Sequence, residues 1–231
     1  MTRAAARSEP HVPSVHGPRW SRWVGRFLAR VVWDTHVTGA ERVPRTGAVV
    51  FAANHVTLLD GPLLAGTSPR GLHILVKAEM FRGPLGAVLR AAGQIPVDRT
   101  MARAALQSAV GVLRRGGAVG IFPEGTRGRG TAEQLRAGAA WLAVNGEARV
   151  VPVAILGTRR TGESARGLPT LRRDLVVEFG HPVDVRTEGL SRRAAVDHAA
   201  LVIRDAMSEL LASAQARTGV RLPEDDPRAT V

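Results

Sequence analysis

The chain has 231 residues, 45% of them apolar, enough for one sizeable core. It has no cysteine, which excludes a disulfide framework and a thiolate metal site and permits a reducing compartment. Lys and Arg outnumber Asp and Glu by 32 to 20, a formal charge of +12 that favours phosphate-bearing partners: nucleic acid, anionic lipid or phosphorylated metabolites. Nearly all of that charge is arginine, because Lys77 is the only lysine.

In chain order, residues 1–18 are rich in Pro, His and Arg and read as a disordered leader. Residues 19–33, "RWSRWVGRFLARVVW", follow helical spacing. At about 100° per residue, Trp20, Trp23, Val24, Phe27, Leu28, Val31 and Val32 fill one half of the helix. Arg19, Arg22, Arg26 and Arg30 fill the other, and Trp33 alone breaks the pattern. Tryptophan opposite an arginine-rich face marks a helix lying in a membrane interface. An ordinary amphipathic helix packed on the core fits the same pattern, so two readings stand.

Strands and helices then alternate. "AVVFAANH", "LHILVK", "AVGIFPEG", "ARVVPVAILG" and "DLVVEFG" read as strands, with a short one at "GQIPVDR". "GPLGAVLRAAG" and "RAALQSAVGVLRRGG" read as helices, the second stopped by paired glycines. "TAEQLRAGAAWLAVNG" reads as a helix capped by Thr131. A long helix from Ser191 carries Val196, Ala200, Ile203, Met207 and Leu210 on one face. The expected fold is α/β: a single domain over residues 34–217 with a mostly parallel or mixed sheet flanked by helices. Residues 218–231 read as a flexible tail. The longest apolar runs, such as 150–156, fall far short of the roughly 20 residues that cross a bilayer, and the N-terminus lacks the apolar core of a secretory signal. The expectation is a protein inside the cell, soluble or peripheral.

Chemistry in such sheets gathers where strands end. In "FAANHVTLLDGP", His55 is a base suited to neutral pH, and Asp60 could hold its tautomer. Asn54 and Thr57 add short polar side chains for the turn. Taken alone, Asp60 as a helix cap and His55 as a loop histidine is the plainer reading of this stretch. In "FPEGTRGRG", Gly125 allows positive φ or close approach, while Glu124, Thr126 and Arg127 cluster polar groups; Arg127 can bind phosphate bidentately. A surface turn with a Glu–Arg pair is the plainer reading. Arg99 follows the short strand, and Lys77, the one retained lysine, suits a site needing a compact ammonium.

Taken in order, Asn54-His55-x4-Asp60, Gly93-Gln94-Ile95-Pro96-Val97-Asp98-Arg99, Phe122-Pro123-Glu124-Gly125-Thr126-Arg127 and Val151-Pro152-Val153 closely resemble the four blocks of the glycerolipid acyltransferase family, best known for 1-acylglycerol-3-phosphate acyltransferases. The resemblance runs from about residue 35 to 180. It implies that His55 and Asp60 are the catalytic pair. It implies that Arg99 and Glu124-Gly125-Thr126-Arg127 bind the phosphate-bearing acceptor, a clamp that the lone Lys77 would join, and that the block containing Pro152 lies near the acyl side. The implied reaction moves a fatty acyl group from acyl-CoA or acyl carrier protein to the hydroxyl of lysophosphatidic acid, with no metal or cofactor. The implied setting is an anionic membrane surface on the cytoplasmic side, without a spanning helix or nucleic acid. Pro96, Gly128 and Leu135-Arg136-Ala137-Gly138 depart from the commonest pattern. They leave open another lysophospholipid, glycerol-3-phosphate or a glycolipid as acceptor. A non-catalytic membrane or nucleic-acid binder is the competing class, weakened by 4% aromatic residues and no tyrosine.

Overall fold

The computed structural model describes residues 11–98, 102–133 and 135–227. Among these residues seven strands form one sheet: β1 Asp34–Thr38, β2 Val49–Ala53, β3 Leu72–Lys77, β4 Ile95–Val97, β5 Ala118–Ile121, β6 Arg149–Leu156 and β7 Asp174–Phe179. Their order is β1-β7-β6-β2-β5-β3-β4. The pairings run parallel except β6 with β7. Strands β2 to β6 therefore point the same way, and their C-terminal ends share one edge. The sheet is the mixed, helix-flanked one expected. β2 is buried at every position, as a run of Val, Phe and Ala must be when both faces are covered.

Among the described residues six α-helices cover the sheet: α1 Gly17–Phe27, α2 Asp60–Thr67, α3 Gly83–Ala91, α4 Ala102–Arg114, α5 Gly138–Asn145 and α6 Arg192–Thr218. One core layer joins the sheet to α4, α5 and α6; the other joins it to α2, Ala29 and Trp33. Ser191 caps α6 by accepting from the Ala194 N–H. Its inward face is Ala195, Ala199, Ile203, Met207 and Leu211, one residue round from the expected stripe at several turns. After α4, Gly116 takes φ of +74°. The Gly116 and Gly117 N–H groups then close on Leu113 and Val112, the arrangement glycine permits at a helix end.

One expectation is corrected. No helix starts at Thr131, because Ala132 takes φ of +57° and turns the chain inward; α5 begins only at Gly138. Among the described residues the polar edge strand β1, "DTHVT", pairs with β7 alone, and its hydropathy does not announce it.

Helix α1 continues into a widened π-helical turn, Leu28–Val32. It packs on α2 where Gly25 meets Gly66. A Cβ on Gly66 would stand 2.1 Å from the Gly25 carbonyl carbon, so two backbones touch there. The apolar half of the helix is turned outward: Trp23 is 69% exposed, and Val24, Phe27 and Val31 more than half. Trp33, the residue out of step, is buried; its indole N–H donates to the Pro169 carbonyl at 3.2 Å. Among the described residues no helix is long and apolar enough to cross a membrane.

The segment after α6, expected to be a flexible tail, is bound to the body as far as residue 227 is described. Asp225 receives Arg159 Nη1 at 2.8 Å and its carbonyl receives Nη2 at 2.7 Å. Leu222 and Glu224 N–H groups are also taken, by Gln215 and Thr161.

Candidate active site

The expected site residues follow the C-terminal ends of the parallel strands. β2 leads into His55, β3 ends at Lys77, β5 leads into Glu124, and β6 leads into Thr158. Arg99 lies outside the described residues.

The turn 54–60 folds around Asp60, which is wholly buried. Its Oδ2 accepts from the Val56 N–H at 2.7 Å, the Thr57 N–H at 2.8 Å and His55 Nδ1 at 2.9 Å. Its Oδ1 accepts from the Thr57 hydroxyl at 3.2 Å and the Thr158 hydroxyl at 2.8 Å. An oxygen already surrounded by backbone N–H donors can only accept, so His55 donates from Nδ1 and Nε2 keeps its lone pair. The His55 ring stacks on Phe122, with centroids 4.2 Å apart and planes inclined by 21°. The His55 side chain remains 18% exposed. A base fixed by a buried carboxylate and open on its other nitrogen can take a proton from a bound hydroxyl.

Thr57 holds the turn as expected; its hydroxyl also accepts from the Leu59 N–H. Asn54 works elsewhere. Its side chain bonds both backbone groups of Ile155, at 2.9 and 2.7 Å. The β2–β6 ladder ends at Ala53 with Val153, and the amide extends it by side-chain bonding.

Glu124 Oε1 accepts the His55 N–H at 3.2 Å, and the His55 carbonyl accepts from Gly128. The third block is thus bonded to the first through the backbone of the base itself. Gly125 sits at φ of +70° with Arg136 folded over it; a Cβ there would meet Arg136 Nε at 2.6 Å. Thr126 follows, partly buried, and lines a cavity of about 230 Å³ with Glu124, Gly128 and Arg129. Arg127 is partly buried and donates from Nη1 to the Ala165 carbonyl at 3.3 Å. Burial, and next the nearby Arg166, hold its pKa below the ordinary arginine value, while Asp60 works against them. Arg127 thus lies within electrostatic reach of both Arg166 and Asp60.

Lys77 is exposed at the end of β3. Pro152 is inside the sheet, against Gly180, whose N–H its carbonyl accepts at 2.9 Å. Having no N–H to return that bond, it marks where the β6–β7 ladder stops. Among the described residues no three of His, Cys, Asp and Glu gather closely enough to hold a metal ion.

Thr158 is the residue that sequence reasoning missed. The only signal was a Gly-Thr pair ending β6 at the shared edge; Gly157 takes φ of +85° there. Beside it, Arg159 is fully buried and held by Asp225 and by the Glu163 carbonyl.

Known proteins share this architecture. The crystal structure of the 1-acyl-sn-glycerophosphate acyltransferase PlsC from Thermotoga maritima matches with a TM-score of 0.63 at 26% identity, over 84% of this chain and 79% of that one. A 1-acyl-sn-glycerol-3-phosphate acyltransferase of Borreliella burgdorferi is 33% identical over 127 residues, 53% of this chain and 51% of that protein. One from Bacillus subtilis is 33% identical over 126 residues, 52% of this chain and 62% of that protein. The matched stretches thus span between half and two thirds of those two relatives. The acyltransferase family model matches residues 34–156, which run from β1 to the end of β6 and contain the His55–Asp60 turn and the Glu124–Arg127 loop. With more than half of its length matched, the chain belongs to the acyltransferase family.

Proposed function

We propose that this protein is an O-acyltransferase that moves a fatty acyl group from an acyl thioester to the free hydroxyl of lysophosphatidic acid, giving phosphatidic acid. The observation that carries this reading is the 2.9 Å contact between His55 Nδ1 and the buried Asp60, on a family-matched sheet edge.

His55 Nε2 takes the proton of the acceptor hydroxyl as its oxygen attacks the thioester carbonyl. The C–O bond forms, the tetrahedral intermediate collapses, and the C–S bond breaks. The thiolate leaves with the proton that His55 carried. Asp60 holds the imidazole in its tautomer and stabilises it while it is charged. No covalent acyl-enzyme is needed, because the nucleophile comes with the acceptor. Arg127, with Arg99 and Lys77, clamps the acceptor phosphate and fixes its hydroxyl near His55. Burial of Arg127 beside Arg166 supports the clamp, since an incoming phosphate dianion relieves their mutual repulsion. The donor is acyl-CoA or acyl carrier protein. The protein works at the cytoplasmic face of an anionic membrane; the outward apolar half of α1 supports peripheral attachment.

The test is transfer of a labelled acyl group to lysophosphatidic acid, another lysophospholipid, glycerol-3-phosphate and a glycolipid in parallel. Lysophosphatidic acid is expected to be the preferred acceptor, and His55→Ala to lower turnover by roughly 10²-fold or more. Preference for another acceptor overturns the substrate. A His55→Ala variant within about tenfold of wild type overturns the mechanism.

A further inference from the structure

We propose that the loop 164–172, between β6 and β7, is a second membrane-insertion element, with Leu168 and Leu171 as its tips and an anionic bilayer as its partner. The proposal rests on the reading above that the acceptor is a membrane lipid.

Leu168 and Leu171 are 71% and 72% exposed, more than Trp23 on the outward face of α1. A single exposed leucine needs no explanation. Here, however, the backbone holds both side chains out. The Gly167 N–H closes on the Ser164 carbonyl and the Arg173 N–H on the Thr170 carbonyl. The Pro169 carbonyl accepts from Trp33, and the Arg172 N–H donates to the Val32 carbonyl. Arg173 grips Glu163 through two hydrogen bonds of 2.6 and 2.7 Å. A loop tied at so many points cannot fold its leucines back without breaking those bonds.

The surrounding charge identifies the partner. Arg160, Arg166 and Arg172 are exposed on the connection 157–173 that carries this loop. Its one acid, Glu163, is already taken by Arg173. Arg172 reaches the half-buried Asp34 only at 3.6 Å. Leucine tips between arginine shoulders suit an interface in which apolar groups enter the acyl boundary and cations meet anionic headgroups. The bonds to Val32 and Trp33 place the loop against the end of the α1 extension, beside the exposed Val31. At its other end the Ala165 carbonyl holds Arg127. Insertion of the loop thus sets the depth of the acceptor-binding guanidinium, so that a headgroup reaches it without the lipid leaving the bilayer.

Because the chain has no cysteine, Leu168→Cys and Leu171→Cys each create a unique thiol for a polarity-sensitive fluorophore. Phe27→Cys reports on α1, and Leu201→Cys, 52% exposed on α6, is the control. With vesicles of phosphatidylcholine and phosphatidylglycerol, labels at 168 and 171 are expected to shift to the blue, and the label at 201 to stay unchanged. A shift at 27 without one at 168 or 171 overturns the proposal and leaves peripheral attachment standing. No shift at 27, 168 or 171 overturns both. The double variant Leu168→Glu with Leu171→Glu is expected to partition onto those vesicles at least about tenfold less than wild type, while retaining turnover on a water-soluble short-chain acceptor. Undiminished partition overturns the insertion role, even where turnover falls.

Discussion

The Thr158 hydroxyl donates to Asp60 at 2.8 Å, on the carboxylate oxygen that His55 does not use. The two oxygens are thereby held from different parts of the chain, one by the turn that carries the base and one by the end of β6. Thr158→Val keeps the shape of the side chain and removes the donor. Oδ1 then retains only the longer bond from Thr57. Losing one hydrogen bond to a buried carboxylate lowers kcat about tenfold, with the KM for the acceptor little changed, because Thr158 is buried against Asp60. Thr158→Ser restores most of the loss. A rise in KM at constant kcat would show that Thr158 binds substrate instead.

Asp60→Asn tests the pair from the other side. The amide that replaces one oxygen brings two hydrogens into a site built of donors: Val56 N–H, Thr57 N–H and His55 Nδ1 on one oxygen, two hydroxyls on the other. Either orientation of the amide opposes donors, and the histidine tautomer is no longer fixed. Turnover falls by roughly 10³-fold or more, whereas the acyl donor still binds. Measuring donor binding directly, by displacement of a fluorescent thioester, separates this loss from misfolding.

The Gly25–Gly66 contact makes a prediction about attachment of α1. A Cβ on Gly66 meets the Gly25 backbone at 2.1 Å, and one on Gly25 meets the Pro62 carbonyl at 2.6 Å. Neither helix backbone can give way as a side chain can. Gly66→Ala pries the two apart and costs about 1–3 kcal/mol of stability, read by urea denaturation. Limited proteolysis then cuts within residues 17–33 before it cuts the sheet. An unchanged cleavage order would mean that α1 is held elsewhere, for instance by the Trp20 indole on the Ala91 carbonyl.

Much of this arrangement was legible in the sequence, for a physical reason. Strands buried on both faces are unbroken apolar runs, and a parallel sheet puts their polar exits on one edge. Thus "VVFAANH", "AVGIFPEG" and "VPVAILG" could be placed, and with them His55, Asp60 and Glu124. What was not legible depends on long-range contact. β1 is polar because it is an edge strand paired with β7. The missing first turns of the helix expected from Thr131 reflect Ala132 at positive φ, buried in the core. Thr158 reaches Asp60 across 98 residues. No periodicity could report it. The outward face of α1 was visible as a stripe, but which way it pointed was decided by glycine packing with α2.

Glu163 and Arg173 carry a pH dependence whose sign is fixed. The two hydrogen bonds from Arg173, above all, hold the Glu163 carboxyl down at about 2, from an ordinary value of 4.5. A folded-state value below the unfolded one means that the unfolded chain binds more protons between them, so stability rises with pH across that window. The contribution is fully present above about pH 4.5 and is lost as pH falls toward 2. Solvent screens it, since the Glu163 side chain is 38% exposed. Glu163→Gln is therefore less stable than wild type at neutral pH, and the two melting temperatures converge as the pH drops below 4.5. The variant also loosens the loop that presents Leu168, Leu171 and the Ala165 carbonyl. Faster amide hydrogen exchange over residues 164–172 accompanies the lower melting temperature. A constant gap in melting temperature down to pH 3, inside that window, would mean that Glu163 acts through packing and not through its charge.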